Sequence, residues 1–263
     1  MAEADPVRLR DRIDTGPRFT EHDAIRLNRM FRGSDTREML RAVIADGLAG
    51  DMAVVSSFGA ESAVLLHLVA EVDPALPVLF LDTGKHFAET LTYRDTLASR
   101  FGLTALRILS PDPADLSQRD ETGLRWSYDP DGCCEIRKVR PLARALAGLD
   151  ATITGRKAFQ AQTRANLPRF ELDTSDGHGR LKINPLIDWT AEDIARHFTA
   201  HDLPPHPLVE QGYPSIGCSP CTSKVAPGED PRSGRWKGWD KTECGIHTDG
   251  ATSDLPPGYE PFL

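Results

Sequence analysis

No apolar segment of the sequence is long enough to span a bilayer, since the longest, residues 63–70, is interrupted by His67. The amino-terminal stretch MAEADPVRLRDRIDTG contains acidic residues and no hydrophobic segment of the kind found in secretory signals. We therefore expect a cytoplasmic protein that does not associate with membranes.

An excess of positive charge is also absent. The 31 lysines and arginines are outnumbered by 39 aspartates and glutamates, so the net charge is −8. This balance argues against a general nucleic-acid binder, because such proteins neutralise phosphates with basic surfaces. The net charge does not exclude binding of a small anionic ligand, because such binding depends on local cations. The sequence has no internal repeat, and its 40% apolar content predicts one large domain, or a domain with an appendage.

Cysteine is scarce, and in a reducing compartment the five residues present are more suited to metal binding or chemistry than to disulfides. Cys133 and Cys134 are adjacent, Cys218 and Cys221 form a CxxC pair, and Cys244 stands alone. Two separate thiolate pairs can hold zinc or an iron–sulfur cluster. Adjacent cysteines diverge on a helix and favour the larger cluster, with zinc or simple buried thiols as the alternatives.

Strands and helices alternate from residue 51 onward, which predicts a doubly wound, mostly parallel α/β sheet. The predicted strands are 52–57, 77–82, 103–109, 151–155 and 181–189, and the predicted helices are 61–72, 86–101, 135–148 and 190–202. Two further helices are expected within 20–50. The chain is accordingly divided into an N-terminal helical segment (1–49), a nucleotide-binding α/β domain (50–210) and a C-terminal tail (211–263).

Ligands of such sheets bind at the carboxyl ends of the strands, so three loops are of interest. In SSFGAES, the backbone amides at a helix start, with Ser57, Gly59 and Ser62, could bind an anion. An ordinary strand–helix turn is the alternative, and the absence of lysine disfavours a Walker loop. Asp82 and Thr83 could bind a ribose or base edge, or simply cap a helix.

The third loop carries Arg156, Lys157 and Arg164 just past a strand end, which suits an anionic substrate or, alternatively, a solvated basic loop. In the tail, Cys244 has cationic neighbours, which favour the thiolate form of a cysteine. These neighbours are Lys241, His247, Arg232 and Arg235. An exposed, inert cysteine is the alternative interpretation.

Taken in order, several motifs resemble the phosphosulfate reductases of assimilatory sulfate reduction, most closely the iron–sulfur branch of that family. They are SSFGAES, LDTGKHFAET, CCEIRKVRPL, TGRKAFQAQTR, KINPLIDWT, GYPSIGCSPCT, GEDPRSGRW and KTECGIH. The resemblance covers about residues 50–247. It implies an adenine nucleotide α-hydrolase-like fold with a mobile C-terminal tail. It also implies one [4Fe–4S] cluster per chain, held by Cys133, Cys134, Cys218 and Cys221.

The same resemblance implies thioredoxin- or glutaredoxin-dependent reduction of adenosine 5′-phosphosulfate (APS) to sulfite and AMP, with an S-sulfonate on Cys244 as the intermediate. The other predicted catalytic residues are Lys138, Arg232, Arg235 and His247. The predicted substrate-binding residues are Ser57, Phe58, Gly59, Ser62, Leu81, Asp82, Thr83, Gly155, Arg156 and Arg164. Lys138 lies four residues after Cys134, so on an α-helix it would share that cysteine's face.

Two alternatives stay open: reduction of the 3′-phosphorylated substrate, and an ATP pyrophosphatase-type sulfur transfer enzyme of the same fold. The latter enzymes carry an SGGxDS loop. Here Phe58 replaces a glycine and Glu61 replaces the aspartate, which disfavours triphosphate binding. The sequence does not decide between a monomer and a homo-oligomer.

Overall fold

A computed structural model describes residues 18–175, 177 and 179–247. Its centre is a six-stranded sheet of order β3-β2-β1-β4-β6-β5, in which all neighbouring strands are parallel except β5 and β6. The strands are β1 Met52–Ser56, β2 Val78–Leu81, β3 Leu106–Leu109, β4 Ala151–Thr154, β5 Phe170–Asp173 and β6 Arg180–Ile183. The prediction of a doubly wound, mostly parallel sheet is confirmed.

Helices flank this sheet, and all of them except α5 and α6 correspond to predicted helices. They are α1 Glu21–Met30, α2 Thr36–Ile44, α3 Ser62–Ala70, α4 Ala88–Phe101, α5 Pro113–Arg119, α6 Pro130–Cys134, α7 Arg140–Leu146 and α8 Ala191–Ala200. Thr190 caps α8, because its hydroxyl accepts the amide of Asp193 at 3.1 Å. Gly102 ends α4 in the left-handed conformation at φ 64°. Within the described residues, no helix has the length and apolarity that crossing a membrane requires.

The amino-terminal helices share the hydrophobic core of the sheet. Leu27 of α1 and Leu40 of α2 are fully buried in the same cluster as Val54 of β1. Asn28 of α1 brackets the edge strand β5, since its amide donates to the carbonyl of Phe170 at 2.7 Å and its carbonyl accepts the Phe170 amide at 3.0 Å. The three-part division of the chain stays a prediction, and the last part of its tail, 248–263, lies outside the described residues.

The predicted strand 181–189 is much shorter in the structure, where β6 ends at Ile183. Residues 184–189 form turns, with the amide of Ile187 donating to the carbonyl of Asn184 at 3.2 Å. Pro185 cannot donate a ladder hydrogen bond, which is consistent with the strand ending there. The antiparallel strand β5 is not among the predicted strands. Its short sequence FELD includes two carboxylates and lacks a clear apolar run.

The predicted helix 135–148 is present but is not α-helical throughout. A π-helix, Glu135–Val139, joins α6 to α7. Pro141 follows it closely and has no amide to donate to a carbonyl in the preceding turn, so a wider turn relieves the clash that proline causes in an α-helix. The wide turn carries Lys138, in line with the tendency of π-turns to occur at functional sites.

Candidate active site

A cavity of about 590 Å³ lies at the carboxyl ends of β1 and β4. It is lined by the loop after each of these strands, by the π-helix, and by the C-terminal tail. The predicted residues that line it are Ser57, Gly59, Ser62, Leu81, Lys138, Gly155, Arg156, Arg164, Cys218, Arg232, Arg235 and Cys244. Segments far apart in the sequence thus meet at the edge where a doubly wound sheet binds its ligands.

The loop after β1 presents its serines and glycine to the cavity, but not Phe58. That side chain is fully buried and packs edge-on against Phe80, with ring centroids 5.5 Å apart. Its backbone has a positive φ of 48°, an uncommon conformation for a bulky residue. The Phe58 side chain therefore anchors the loop to the core and does not line the cavity, and its contact with substrate stays a prediction.

The loop after β2 holds the CxxC segment rather than lining the cavity with Asp82 and Thr83. The Asp82 carboxylate accepts the amide of Gly84 at 2.9 Å. The buried Thr83 hydroxyl lies 3.3 Å from the Cys218 sulfur. The amide of Ser219 donates to the carbonyl of Lys85 at 2.8 Å, and His86 forms a backbone bridge with Cys218. These contacts dock the root of the tail onto the sheet.

All three cations after β4 form ion pairs inside the protein, Arg164 with Glu243 of the tail. Arg156 forms an ion pair with Glu171 and donates to the side-chain carbonyl of Asn184 at 3.0 Å. Lys157 is buried, and its ammonium lies 2.8 Å from Glu61. Burial lowers the pKa of Lys157, and the Glu61 carboxylate opposes that shift. Arg156 thus braces the loop after β4 from one side of the cavity.

Glu243 is the functional candidate that sequence reasoning missed. Arg164 donates to both of its carboxylate oxygens at 2.8 Å, and Arg232 reaches one of them at 3.3 Å. This two-pronged pairing is the strong, directional form of an arginine–carboxylate contact. Because Glu243 immediately precedes Cys244, the clamp fixes the thiol beside the cavity. The available signal was an acidic residue directly before the candidate nucleophile.

The paired cysteines converge from two segments. Cys133 and Cys134 end α6, and with Cys218 they are buried, whereas Cys221 is partly exposed. Among the described residues, a group of three potential metal ligands has its ligand atoms within 4.8 Å of one another, and this group contains no cysteine. No three of the described cysteine sulfurs are that close. Tetrahedral zinc, with bonds of about 2.3 Å, would hold its sulfurs roughly 3.8 Å apart. Four thiols from two segments are a donor set that an iron–sulfur cluster or a zinc ion can use.

Burial and neighbouring charges shift the pKa values of these thiols in different directions. Burial raises the pKa of Cys133 to about 12 and also raises the pKa of Cys134 and Cys221. Burial would raise the pKa of Cys218 as well, but Lys138, the Thr83 hydroxyl and Arg235 together lower it. Without a bound cation, then, most of these thiols resist ionisation, and metal binding must displace their protons.

Lys138 stands among three sulfurs. Burial would lower its pKa, but the thiolates of Cys218, Cys244 and Cys134 outweigh that effect and raise it. Lys138 also lines the cavity, so its ammonium lies between the cysteine cluster and the space for a substrate. The predicted proximity of Lys138 to Cys134 is present, although the α-helical spacing behind that prediction is wrong, because the helix is π-type there.

A second cationic region of the tail surrounds Trp236. The Arg235 guanidinium lies 4.5 Å from the centroid of this buried ring, and the Lys241 ammonium lies 5.6 Å from it while pairing with Asp131. The Nε of Arg235 is buried and has no hydrogen-bond partner among the residues that the structure describes, a rare state for a charged donor. His247 falls in the last short turn, Gly245–His247, and does not line the cavity.

Comparisons with known proteins show which family and which solved structures this chain is similar to. Residues 51–224 match the family described as phosphoadenosine phosphosulfate reductase domain. The chain is 56% identical over 205 residues to an adenosine 5′-phosphosulfate reductase of Mesorhizobium japonicum, covering 78% of this chain and 79% of the relative. It is 42% identical over 226 residues to one of Rhodococcus opacus, covering 82% and 90%.

Among solved structures, the phosphoadenylyl-sulfate reductase of Candida auris in its phosphate complex is similar to this chain. The TM-score is 0.67 at 25% identity, covering 80% of this chain and all of that one. The FMN adenylyltransferase of Candida glabrata shares the fold alone, with a TM-score of 0.50 at 16% identity, covering 80% and 71%.

Proposed function

Because this chain belongs to the phosphoadenosine phosphosulfate reductase family, we propose that it reduces APS to sulfite and AMP. The observation that carries the proposal is the position of Cys244, which lines one cavity together with Lys138, Arg164, Arg232 and Arg235. A nucleophilic thiol beside several fixed cations suits attack on an anionic sulfuryl group. The reaction serves sulfate assimilation.

In the first step, the Cys244 thiolate attacks the sulfur of the phosphosulfate. A sulfur–sulfur bond forms, the bond from sulfur to the bridging oxygen breaks, and AMP leaves with that electron pair. Positive charge at the bridging and sulfuryl oxygens stabilises this displacement. Lys138, Arg232 and Arg235 supply it from the π-helix and the tail, with His247 as a further proposed donor.

In the second step, a dithiol protein of the thioredoxin or glutaredoxin class attacks the Cys244 sulfur. Sulfite leaves with the electron pair of the sulfur–sulfur bond, and a second thiol of the reductant resolves the mixed disulfide. The dithiol is oxidised and the sulfur of the substrate is reduced by two electrons. Access for such a partner requires the thiol to leave the cavity, and Cys244 lies on an irregular tail rather than on the sheet.

We further assign the nucleotide to the loops after β1 and β4. Ser57, Gly59 and Ser62 lie at the start of α3, where backbone amides and hydroxyls can receive the phosphate. Gly155 and Leu81 flank the cavity at the ends of their strands. Arg164 reaches the substrate once its carboxylate partner moves, so substrate and Glu243 compete for the same guanidinium.

Cys133, Cys134, Cys218 and Cys221 are proposed to hold one [4Fe–4S] cluster per chain. When bound, it would supply a fixed centre of negative charge beside the reaction site. Lys138 offsets that charge and the charge of the substrate together. The Thr83 hydroxyl, 3.3 Å from the Cys218 sulfur, holds this ligand in place.

The test is sulfite release with thioredoxin from APS and, separately, from its 3′-phosphorylated form. We expect a large preference for APS in kcat/KM, as the names of the relatives suggest. The similarity to the Candida auris enzyme makes the 3′-phosphorylated substrate the second candidate. Without reductant, the protein should gain the mass of one SO₃ group on the Cys244 peptide. Release from neither nucleotide, with the iron complement full, would refute the proposed function.

A further inference from the structure

A cluster of histidines lies away from the cavity, where α3 meets α8. His67 and Glu71 are four residues apart at the end of α3, and His197 and His201 are four residues apart at the end of α8. Side chains four apart on a helix project from one face. Each helix therefore directs a pair of metal-binding side chains toward the other.

The distances bring these side chains into one group. The Nε2 of His197 lies 3.2 Å from the Nδ1 of His67, which in turn lies 3.8 Å from a carboxylate oxygen of Glu71. Ligand atoms of His67, Glu71 and His201 all lie within 4.8 Å of one another. The ring of His201 lies against both other imidazoles at a tilt, with centroids 4.5 Å from His67 and 4.3 Å from His197.

We propose that His67, Glu71 and His201, with His197 as a fourth ligand, bind one divalent transition-metal ion. Imidazole nitrogens and a carboxylate are the donors that zinc and nickel accept. The His197 side chain is buried and that of His67 is half-buried between the two helices. Glu71, whose side chain is 38% exposed, gives the ion a route from solvent.

This site is separate from the proposed reductase chemistry. None of its four residues lines the cavity described above. α3 begins at the cavity with Ser62, and Glu71 follows its last turn, about 13 Å further along the helix axis at 1.5 Å per residue. A bound ion would cross-link α3 to α8 and thereby stabilise the fold without touching the reacting groups.

Arg37 of α2 competes with the ion. Its guanidinium donates to Glu71 at 2.9 Å and lies 3.1 Å from the Nε2 of His201. A dication can use those atoms only when Arg37 moves away, which its 34% exposed side chain permits. Removing this cation should therefore strengthen metal binding, whereas removing a ligand should weaken it. A histidine cluster with a merely structural role has no reason to show opposite effects.

Binding of the probe Ni²⁺ is measured by equilibrium dialysis of cluster-loaded protein. This protein carries Cys244→Ser, so that the free thiol takes no part. One Ni²⁺ per chain is expected, with affinity reduced at least tenfold in His201→Gln and Glu71→Gln and increased several-fold in Arg37→Gln. His22→Gln, on the exposed face of α1, is the matched control and should bind as the parent does.

Folding is monitored independently by urea unfolding with and without Ni²⁺. The ion should raise the midpoint of the parent and of His22→Gln, and leave that of His201→Gln unchanged. Equal affinities in the parent, His201→Gln and Glu71→Gln, or no bound nickel in the parent, would overturn the proposal. Weaker binding in Arg37→Gln would overturn the assigned ligand atoms.

Discussion

Glu243→Gln tests whether the clamp on the tail holds Cys244 in place. In the described structure, Arg164 pairs with both carboxylate oxygens of Glu243 at 2.8 Å, and Arg232 adds a contact at 3.3 Å. The side chains of Arg164 and Glu243 are only 10% and 12% exposed, so water screens the pair weakly. Glutamine keeps the shape and one acceptor, but it removes the charge and turns an N–H₂ group toward a guanidinium.

The expected size of the effect follows from the hydrogen bonds that this substitution removes. A hydrogen bond to a charged group contributes about 1.5–3 kcal/mol, and removing one of them would raise the undocked population of the tail about 10- to 150-fold. The docked form buries Cys244 in part, whereas an undocked tail exposes its thiol fully. The rate at which a reagent modifies this thiol should therefore rise by a factor in that range.

The assay is alkylation of cluster-loaded, nucleotide-free enzyme by iodoacetamide, with the Cys244 peptide followed by mass spectrometry. Glu210→Gln, an exposed glutamate near the start of the tail, is the control and should react at the parent rate. Binding of APS should also tighten in Glu243→Gln, because the substrate no longer displaces a carboxylate from Arg164. Equal alkylation rates in the Glu243 and Glu210 variants would show that the clamp does not hold the tail.

Four further predictions follow from the same geometry. The Cys244→Ser protein should release no sulfite but should keep the colour of the cluster and its nucleotide affinity. Turnover at the parent rate would exclude Cys244 as the nucleophile. Lys138→Ala should lower kcat severely and alter the visible spectrum at full iron content, whereas normal kinetics in such protein would remove Lys138 from the mechanism. Anaerobic protein should contain roughly four irons and four sulfides per chain, and Cys218→Ser should lose them; stoichiometric zinc without sulfide would contradict the cluster. Asp120 pairs with Arg137 at 2.6 Å. Burial alone would raise the pKa of Asp120, but its hydrogen bonds and the charge of Arg137 outweigh burial and lower that pKa. The pair therefore stabilises the fold fully above about pH 4, and this stabilisation is lost as the pH falls through the lowered pKa. Asp120→Asn should flatten that acid limb in urea unfolding, and an unchanged limb would refute this assignment.

Alternation of apolar strands with amphipathic helices was enough to predict the parallel part of the sheet. The predicted strands 52–57 and 151–155 differ from β1 and β4 by a single residue at the end, and both are central strands that are buried along most of their length. The edge strand β5 lacks that signal. Its position depends on pairing with β6 and on Asn28, 142 residues away, which no local pattern reports.

The candidate site was predictable as a set of loops but not as a set of side-chain directions. Because Thr83 and Arg156 follow strand ends, the sequence correctly places them at the edge of the sheet where the cavity lies. Whether such a side chain faces the cavity depends on partners from distant segments. Thr83 faces Cys218, and Arg156 pairs with Glu171, so each supports the site from the edge of the space that a substrate would fill. The same dependence hid Glu243, whose importance becomes visible only beside Arg164.

The tail shows why tertiary contacts decide the chemistry. Cys244 is close in sequence to Lys241, Arg232 and Arg235, and local proximity suggested that these cations act on it directly. In the folded chain Lys241 pairs with Asp131, and Arg232 shares Glu243 with Arg164. Lys138, from a helix more than a hundred residues earlier, also lies among the sulfurs. Burial would lower its pKa, but Cys218, Cys244 and Cys134 raise it. A π-turn forced by Pro141 directs that lysine inward. Under the proposed mechanism, Cys244 therefore depends on two structures, one that carries Lys138 and one that clamps Glu243, and a change in either should alter its reactivity without altering the cysteine itself.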